Sequence, residues 1–130
     1  MDKLEYIQGD LVKFSTNTYT IVNFEENFLH NKICYALIST NSTKTAFVAD
    51  RDILPIPLTP EILEKNGWDK ERYGLVYYKK VSETLFFRLI GKSYGWTLRC
   101  GNQNLIEKLV FVHQLQNLLF GLGLKHKMEV

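Results

Sequence analysis

The sequence predicts an α+β protein: a small SH3-like antiparallel β-barrel, then a short helix, a three-stranded meander and a C-terminal packing helix. Three observations carry this. The first 56 residues are a string of short β-branched and aromatic segments separated by turn residues, at the spacing of a small curled barrel. A proline-rich break, Leu54-Pro55-Ile56-Pro57-Leu58, separates them from the rest of the chain. The last third ends in a strongly apolar run, Gln103 to Phe120, with helical periodicity.

The barrel segments come first. Gly9-Asp10 turns the chain into LVKF, followed by TYTIVNF, KICYALIST and KTAFVADRDILPI, with EEN and TNST clusters as turns. Val12, Phe14, Tyr19, Ile21, Val22, Tyr35, Leu37, Phe47 and Val48 suffice to fill a small barrel. The prolines beyond them cannot sit in a central strand, because each removes a ladder donor. Thr59-Pro60-Glu61 opens a helix: Thr59 caps it, Pro60 fits its first position, and Glu61 meets the positive end of the dipole. Gly67 closes it, with Ile62, Leu63 and Trp68 as anchors. GLVYYKK, TLFFRLI and GWTLRC then form the meander, which the final helix covers. Gly121 and Gly123 end that helix, and the tail LKHKMEV is a candidate edge strand.

The chain divides into a barrel lobe, residues 1–56, and an α+β lobe, residues 57–130, within one compact unit. Across its 130 residues, 45% hydrophobic and 13% aromatic content exceed what a disordered chain carries. A net charge of +2 is too small to argue for nucleic acid or membrane. The distribution is mildly uneven, five Lys/Arg against seven Asp/Glu in residues 1–56 and eight against five in residues 57–102. Cys34 and Cys100 lie far apart without a CxxC spacing and read as free thiols of a reducing compartment. The amino-terminal MDKLEYIQGD lacks a signal-peptide core and no apolar run has membrane-spanning length, so a soluble, cytoplasmic protein is expected.

Few residues are arranged for chemistry. On the C-terminal helix, Leu105, Leu109, Val112, Leu115 and Leu119 form one stripe; Gln116 falls within it, His113 on its flank and Asn117 just beyond, while Gln114 faces water. His113, Gln116 and Asn117 are expected to be structural polar groups bonded to backbone, since a buried polar group without a partner costs a few kcal/mol. No nucleophile or carboxylate motif converges on His113, so no catalytic residue is assigned and a non-enzymatic protein is expected. His30 and Cys34, with His113, His126 or Cys100, lack zinc-ligand spacing, so no metal is expected. GKSYG and GLG lack the spacing of a phosphate loop, and no cofactor or small-molecule substrate is implied.

The meander supplies the candidate binding surface. Strand alternation places Phe86, Arg88 and Arg99 on an outer face, joined there by either Tyr77 and Lys79 or Tyr78 and Lys80. Aromatic rings interleaved with Arg and Lys suit single-stranded nucleic acid through stacking and phosphate contacts, and equally suit a protein-binding face.

The runs LPIPLTPEILEKNGW (Leu54 to Trp68) and FVHQLQNLLF (Phe111 to Phe120), with the GDLV opening, resemble a family of small uncharacterised proteins encoded in prophage-like and mobile regions of gut-dwelling anaerobic bacteria. Trp68 stands where similar sequences often show Phe, which keeps an aromatic anchor. The resemblance carries no catalytic residues onto the chain, and implies that its two identifying segments, Ile56 to Gly67 and Val112 to Asn117, touch in the fold. The expected function is therefore that of a non-enzymatic accessory or adaptor protein of a phage or mobile element, acting through contact with a protein partner or a second copy of itself. A nucleic-acid-binding module using the meander face is the alternative.

Overall fold

The computed structural model describes residues 6–15, 17–27, 32–39, 45–49 and 52–130, without the side chains of residues 23–27 and 32–34. The expected turns at His30 and TNST fall outside the described residues, whereas EEN, expected to be a turn, continues the second strand and pairs with residues 32–34. The fold is α+β and built mostly of antiparallel strands. The first five strands are β1 (Leu11–Phe14), β2 (Asn17–Asn27), β3 (Lys32–Ser39), β4 (Thr45–Ala49) and β5 (Leu54–Pro55). They form a curled, half-barrel sheet in the order β4-β3-β2-β1-β5. A bulge between Ile21 and Asn23 sharpens the twist of β2. The prolines fall where they cost least, with Leu54–Pro55 as an edge strand pairing with Val12 and Lys13.

Helix α1 (Pro60–Lys65) starts as expected, its Ile62 N–H donating to Thr59 Oγ1 at 3.3 Å, and Gly67 ends it at φ 84°. A second five-stranded antiparallel sheet comes next, in the order β10-β9-β8-β7-β6. Its strands are β6 (Asp69–Lys70), β7 (Val76–Lys80), β8 (Phe86–Lys92), β9 (Gly95–Cys100) and β10 (Gln103–Leu109). Helix α2 (Val112–Gly121) then closes the structure.

The meander thus has five strands, not three, and the C-terminal helix begins nine residues later than the periodicity of Gln103 to Phe120 predicts. The hairpin loop Gly101-Asn102, with Gly101 at φ 61°, returns the chain antiparallel to β9. Two register shifts, between Asn104 and Ile106 and between Ile106 and Leu109, then turn both Ile106 and Leu109 towards the core. A bulged strand can bring residues three apart to one face, which imitates a helical repeat. Leu105, placed on the helical stripe by sequence, is exposed.

Two cores result. Val12, Ile21, Tyr35, Leu37, Val48, Ile53 and Tyr6 fill the half-barrel. Phe47, expected inside with them, is 72% exposed, because the strand alternation that buries Val48 turns its neighbour outward. The larger core joins Leu63 and Trp68, the inner face of the second sheet (Tyr77, Phe87, Leu89, Trp96, Leu98, Leu109) and the α2 residues Val112, Leu115 and Leu119. Strand β1 lies between the two cores, giving Val12 to one and Leu11 to the other.

The two segments expected to touch do so. Val112 N–H donates to Ile56 O at 2.8 Å, Leu58 N–H donates to Val110 O at 2.8 Å, and Trp96 Nε1 donates to Leu58 O at 2.9 Å. The tail after Gly123 adds no strand to either sheet; Leu124 to Val130 lies against the larger core without regular secondary structure, with Met128 buried in it. Among the described residues no helix is long and apolar enough to cross a membrane.

Candidate functional site

The polar side chains of α2 each have a defined task. Gln114 is not turned to water: its Oε1 accepts from the Val110 and Phe111 N–H groups at 2.9 and 3.0 Å, capping the helix that really starts there. Gln116, fully buried, accepts at Oε1 from the Leu11 N–H at 2.8 Å and donates through Nε2 to Gly9 O and His126 O, each at 3.2 Å. One amide therefore joins the half-barrel, the helix and the tail. With its nitrogen facing the carboxylate, the Asn117 amide donates to Asp10 Oδ1 at 2.7 Å and Oδ2 at 3.1 Å, and to His113 O at 3.2 Å.

Asp10, which the sequence marks only as a turn residue, is the unexpected member of this cluster. It is 1% exposed, and its Oδ2 accepts from the Ile7 N–H at 2.9 Å. Burial outweighs the bonds to Ile7 and Asn117 and pushes its carboxyl up to about 7. His113, 2% exposed, lies 4.7 Å from the Tyr6 ring and stacks 5.9 Å from the Phe111 ring, and burial lowers its imidazole to about 4. It is a neutral ring in an aromatic slot at physiological pH. Among the described residues no group of three His, Cys, Asp or Glu side chains is placed to hold a metal; the His30 and Cys34 side chains lie outside them.

The outer face of the second sheet is open. Cross-strand pairing sets Tyr78, Arg88, Arg99 and Asn104 side by side in one row across β7, β8, β9 and β10. Lys80 and Phe86 pair next to it on one side, and Val76, Ile90 and Thr97 on the other. Phe86 is 43% exposed, with Leu85, Tyr94 and Leu105 also exposed. Arg88 Nε bonds Glu71 Oε1 at 2.7 Å, and Lys80 Nζ lies 3.5 Å from Glu83 Oε2. Arg99 donates through one terminal nitrogen to Asn102 O at 3.3 Å, while its buried Nε has no hydrogen-bond partner among the described residues. It borders a shallow cleft of about 280 Å³ shared with Ile90, Lys92, Tyr94, Thr97, Asn104 and Glu107.

The alternation on β7 resolves the choice between the two Tyr/Lys pairs. Tyr78 and Lys80 lie outward with Phe86, Arg88 and Arg99. Tyr77 and Lys79 do not belong to this surface. Tyr77 is buried edge-on to Trp96 and donates to Glu64 Oε1 at 3.2 Å; burial and the Glu64 charge raise its pKa. Lys79 reaches back to the end of α1, donating to Asn66 O at 3.1 Å, and burial lowers its pKa. No protein-family model, curated protein or solved structure matches the chain.

Proposed function

We propose that this chain is a non-enzymatic accessory or adaptor protein of a phage or mobile element, binding a protein partner across the outer face of the second sheet. The observation that carries the reading is the row Tyr78–Arg88–Arg99–Asn104 flanked by Phe86, in which Arg88, Asn104 and Phe86 are exposed and Tyr78 and Arg99 half-buried, on a face that neither helix covers. Exposed aromatic and Arg side chains on a rigid sheet are the composition of protein-binding hot spots. The charge balance supports a protein over a polyanion, because Glu71 and Glu83 already pair with Arg88 and Lys80. The strand order β4-β3-β2-β1-β5, with β5 returning to β1, supports an SH3-like reading of the first sheet. Barrels of that kind commonly serve as binding modules, a fold-level analogy only.

Single-stranded nucleic acid is the second reading, favoured by Arg99 Nε and Lys92 at the cleft beside Tyr94. Fluorescence anisotropy against labelled single- and double-stranded DNA and RNA separates the two. Binding that falls steeply with salt and disappears in the Arg88→Ala/Arg99→Ala double variant selects nucleic acid. A protein captured from the host at high salt by the wild type, and lost with Phe86→Ser and Arg99→Ala, selects the adaptor. If neither variant set alters any interaction of the chain, this face is not its binding surface.

A further inference from the structure

The tail is held in the manner of a bound peptide. Asn66, at the end of α1, grips both backbone groups of Glu129: the Glu129 N–H donates to Asn66 Oδ1 at 2.8 Å, and Asn66 Nδ2 donates to Glu129 O at 2.7 Å. Lys65 Nζ donates to Val130 O at 3.0 Å, and Gln116 Nε2 donates to His126 O at 3.2 Å. These contacts read backbone, not side chains, and are supplied by residues outside the tail. Met128 supplies the deepest apolar anchor by entering the larger core, with Leu124 and Val130 packed beside it. Main-chain bonds for affinity with one pocket for specificity are how extended peptides are recognised. Gly123, at φ 71°, is the joint from which the segment departs. Beside it a groove of about 940 Å³ remains open, walled by Asn17, Thr18 and Thr20 of β2 and by residues 126–130.

The occupant matches this site in shape but not in charge. Lys65 and Lys79 both reach the end of α1. The tail carries Lys125 and Lys127 against a single acidic side chain, Glu129, and Lys125 comes near enough to Lys79 to act on its charge. After burial, the Lys125 charge is the next cause of the lowered Lys79 pKa, as expected of like charges held together. An extended segment carrying carboxylates where the tail carries lysines would keep every backbone contact and replace repulsion by attraction.

We propose that the groove formed by the end of α1, α2 and the β1–β2 wall recognises an extended acidic peptide segment of a protein partner, anchored by an apolar side chain at the Met128 position, and that the chain's own tail occupies it as a displaceable placeholder. This site is distinct from the outer sheet face and does not depend on that reading.

The test uses the full chain and two labelled heptapeptides, one with the sequence of residues 124–130 and one with glutamate in place of both lysines. Each is titrated by fluorescence anisotropy into the wild type and into Glu129→Pro, which removes the N–H donated to Asn66 at an exposed position. The acidic peptide is expected to bind Glu129→Pro about tenfold more tightly than the wild type, because the competing tail is weakened. It should also bind about tenfold more tightly than the lysine peptide, and adding Asn66→Ala should abolish its binding. Circular dichroism and the emission of buried Trp68 and Trp96 check that each variant is folded. No saturable binding of the acidic peptide to folded Glu129→Pro overturns the proposal. So does equal binding of the two peptides, or binding that Asn66→Ala leaves unchanged. Should Glu129→Pro not fold, the wild type decides: the acidic peptide must bind at higher concentration and the lysine peptide more weakly still.

Discussion

Asp10 and His113 are expected to give this protein opposed pH dependences that hide one another. The Asp10 carboxyl titrates at about 7 in the folded chain against an ordinary 3.8. Across that window the folded state keeps a proton that the unfolded state has released, so stability falls as pH rises and the loss is complete above about 7. The His113 imidazole is held at about 4 against an ordinary 6.5. Here the unfolded state takes up a proton that the folded state refuses, so stability falls as pH drops from 6.5 towards about 4. Each slope is about 1.4 kcal/mol per pH unit, and over their overlap they have opposite sign. The two groups together therefore contribute almost no pH dependence between about 4 and 6.5.

Single substitutions unmask the slopes. Asp10→Asn removes the carboxyl and leaves the His113 slope, so the stability of the variant relative to wild type should rise with pH by about 4 kcal/mol in all, most of it between pH 4 and 7. His113→Phe keeps an aromatic ring between Tyr6 and Phe111; its stability relative to wild type should fall by about 3 kcal/mol from pH 4 to 6.5. The assay is urea denaturation followed by tryptophan emission at half-unit pH steps, read as differences from wild type so that other carboxylates cancel. Difference curves that stay flat from pH 4 to 7 would falsify the assignment of buried, oppositely shifted groups.

The other predictions concern the joints of the fold. Gln116→Leu removes the partner of the Leu11 N–H and of two carbonyls, and should cost about 3 kcal/mol in chemical denaturation, with faster hydrogen exchange at Leu11. Gly95→Ala should cost about 2 kcal/mol or more, since φ is 140° there and an added Cβ would stand 2.7 Å from Leu109 O. Gly121→Ala meets nothing within 4 Å at the end of α2 and should be neutral or slightly stabilising, which makes it the control. Arg88→Ala breaks a half-exposed pair with Glu71 and should change stability by no more than about 1 kcal/mol, so any loss of partner binding in that variant reports on the surface itself.

What is legible in the sequence is local. Thr59, Pro60 and Gly67 mark both ends of α1 because capping is settled within one turn of chain. Gln103–Leu109 reads as helix because two bulges give a strand the spacing of one, and that periodicity outweighs the Gly101-Asn102 hairpin signal. Gln116 is recognisable as a buried polar group, yet its partners Leu11 and Gly9 lie 105 and 107 residues away and only the fold names them. Asp10 gives no signal at all, since Gly9-Asp10 reads as an ordinary turn until α2 lies across it and shuts out water.

The binding face illustrates the same limit more sharply. VYYKK puts two tyrosines and two lysines in succession, so either parity gives an aromatic-basic face and alternation alone decides nothing. The decision comes from α1: Glu64 receives the Tyr77 hydroxyl and Asn66 O receives Lys79, and together they turn Tyr78 and Lys80 outward. The same short helix sets Asn66 and Lys65 against the tail. Six residues of helix and their C-cap Asn66 thereby fix the parity of one candidate surface and border the other. Among them, Glu64, Lys65 and Asn66 are committed to contacts within the fold beside both candidate surfaces.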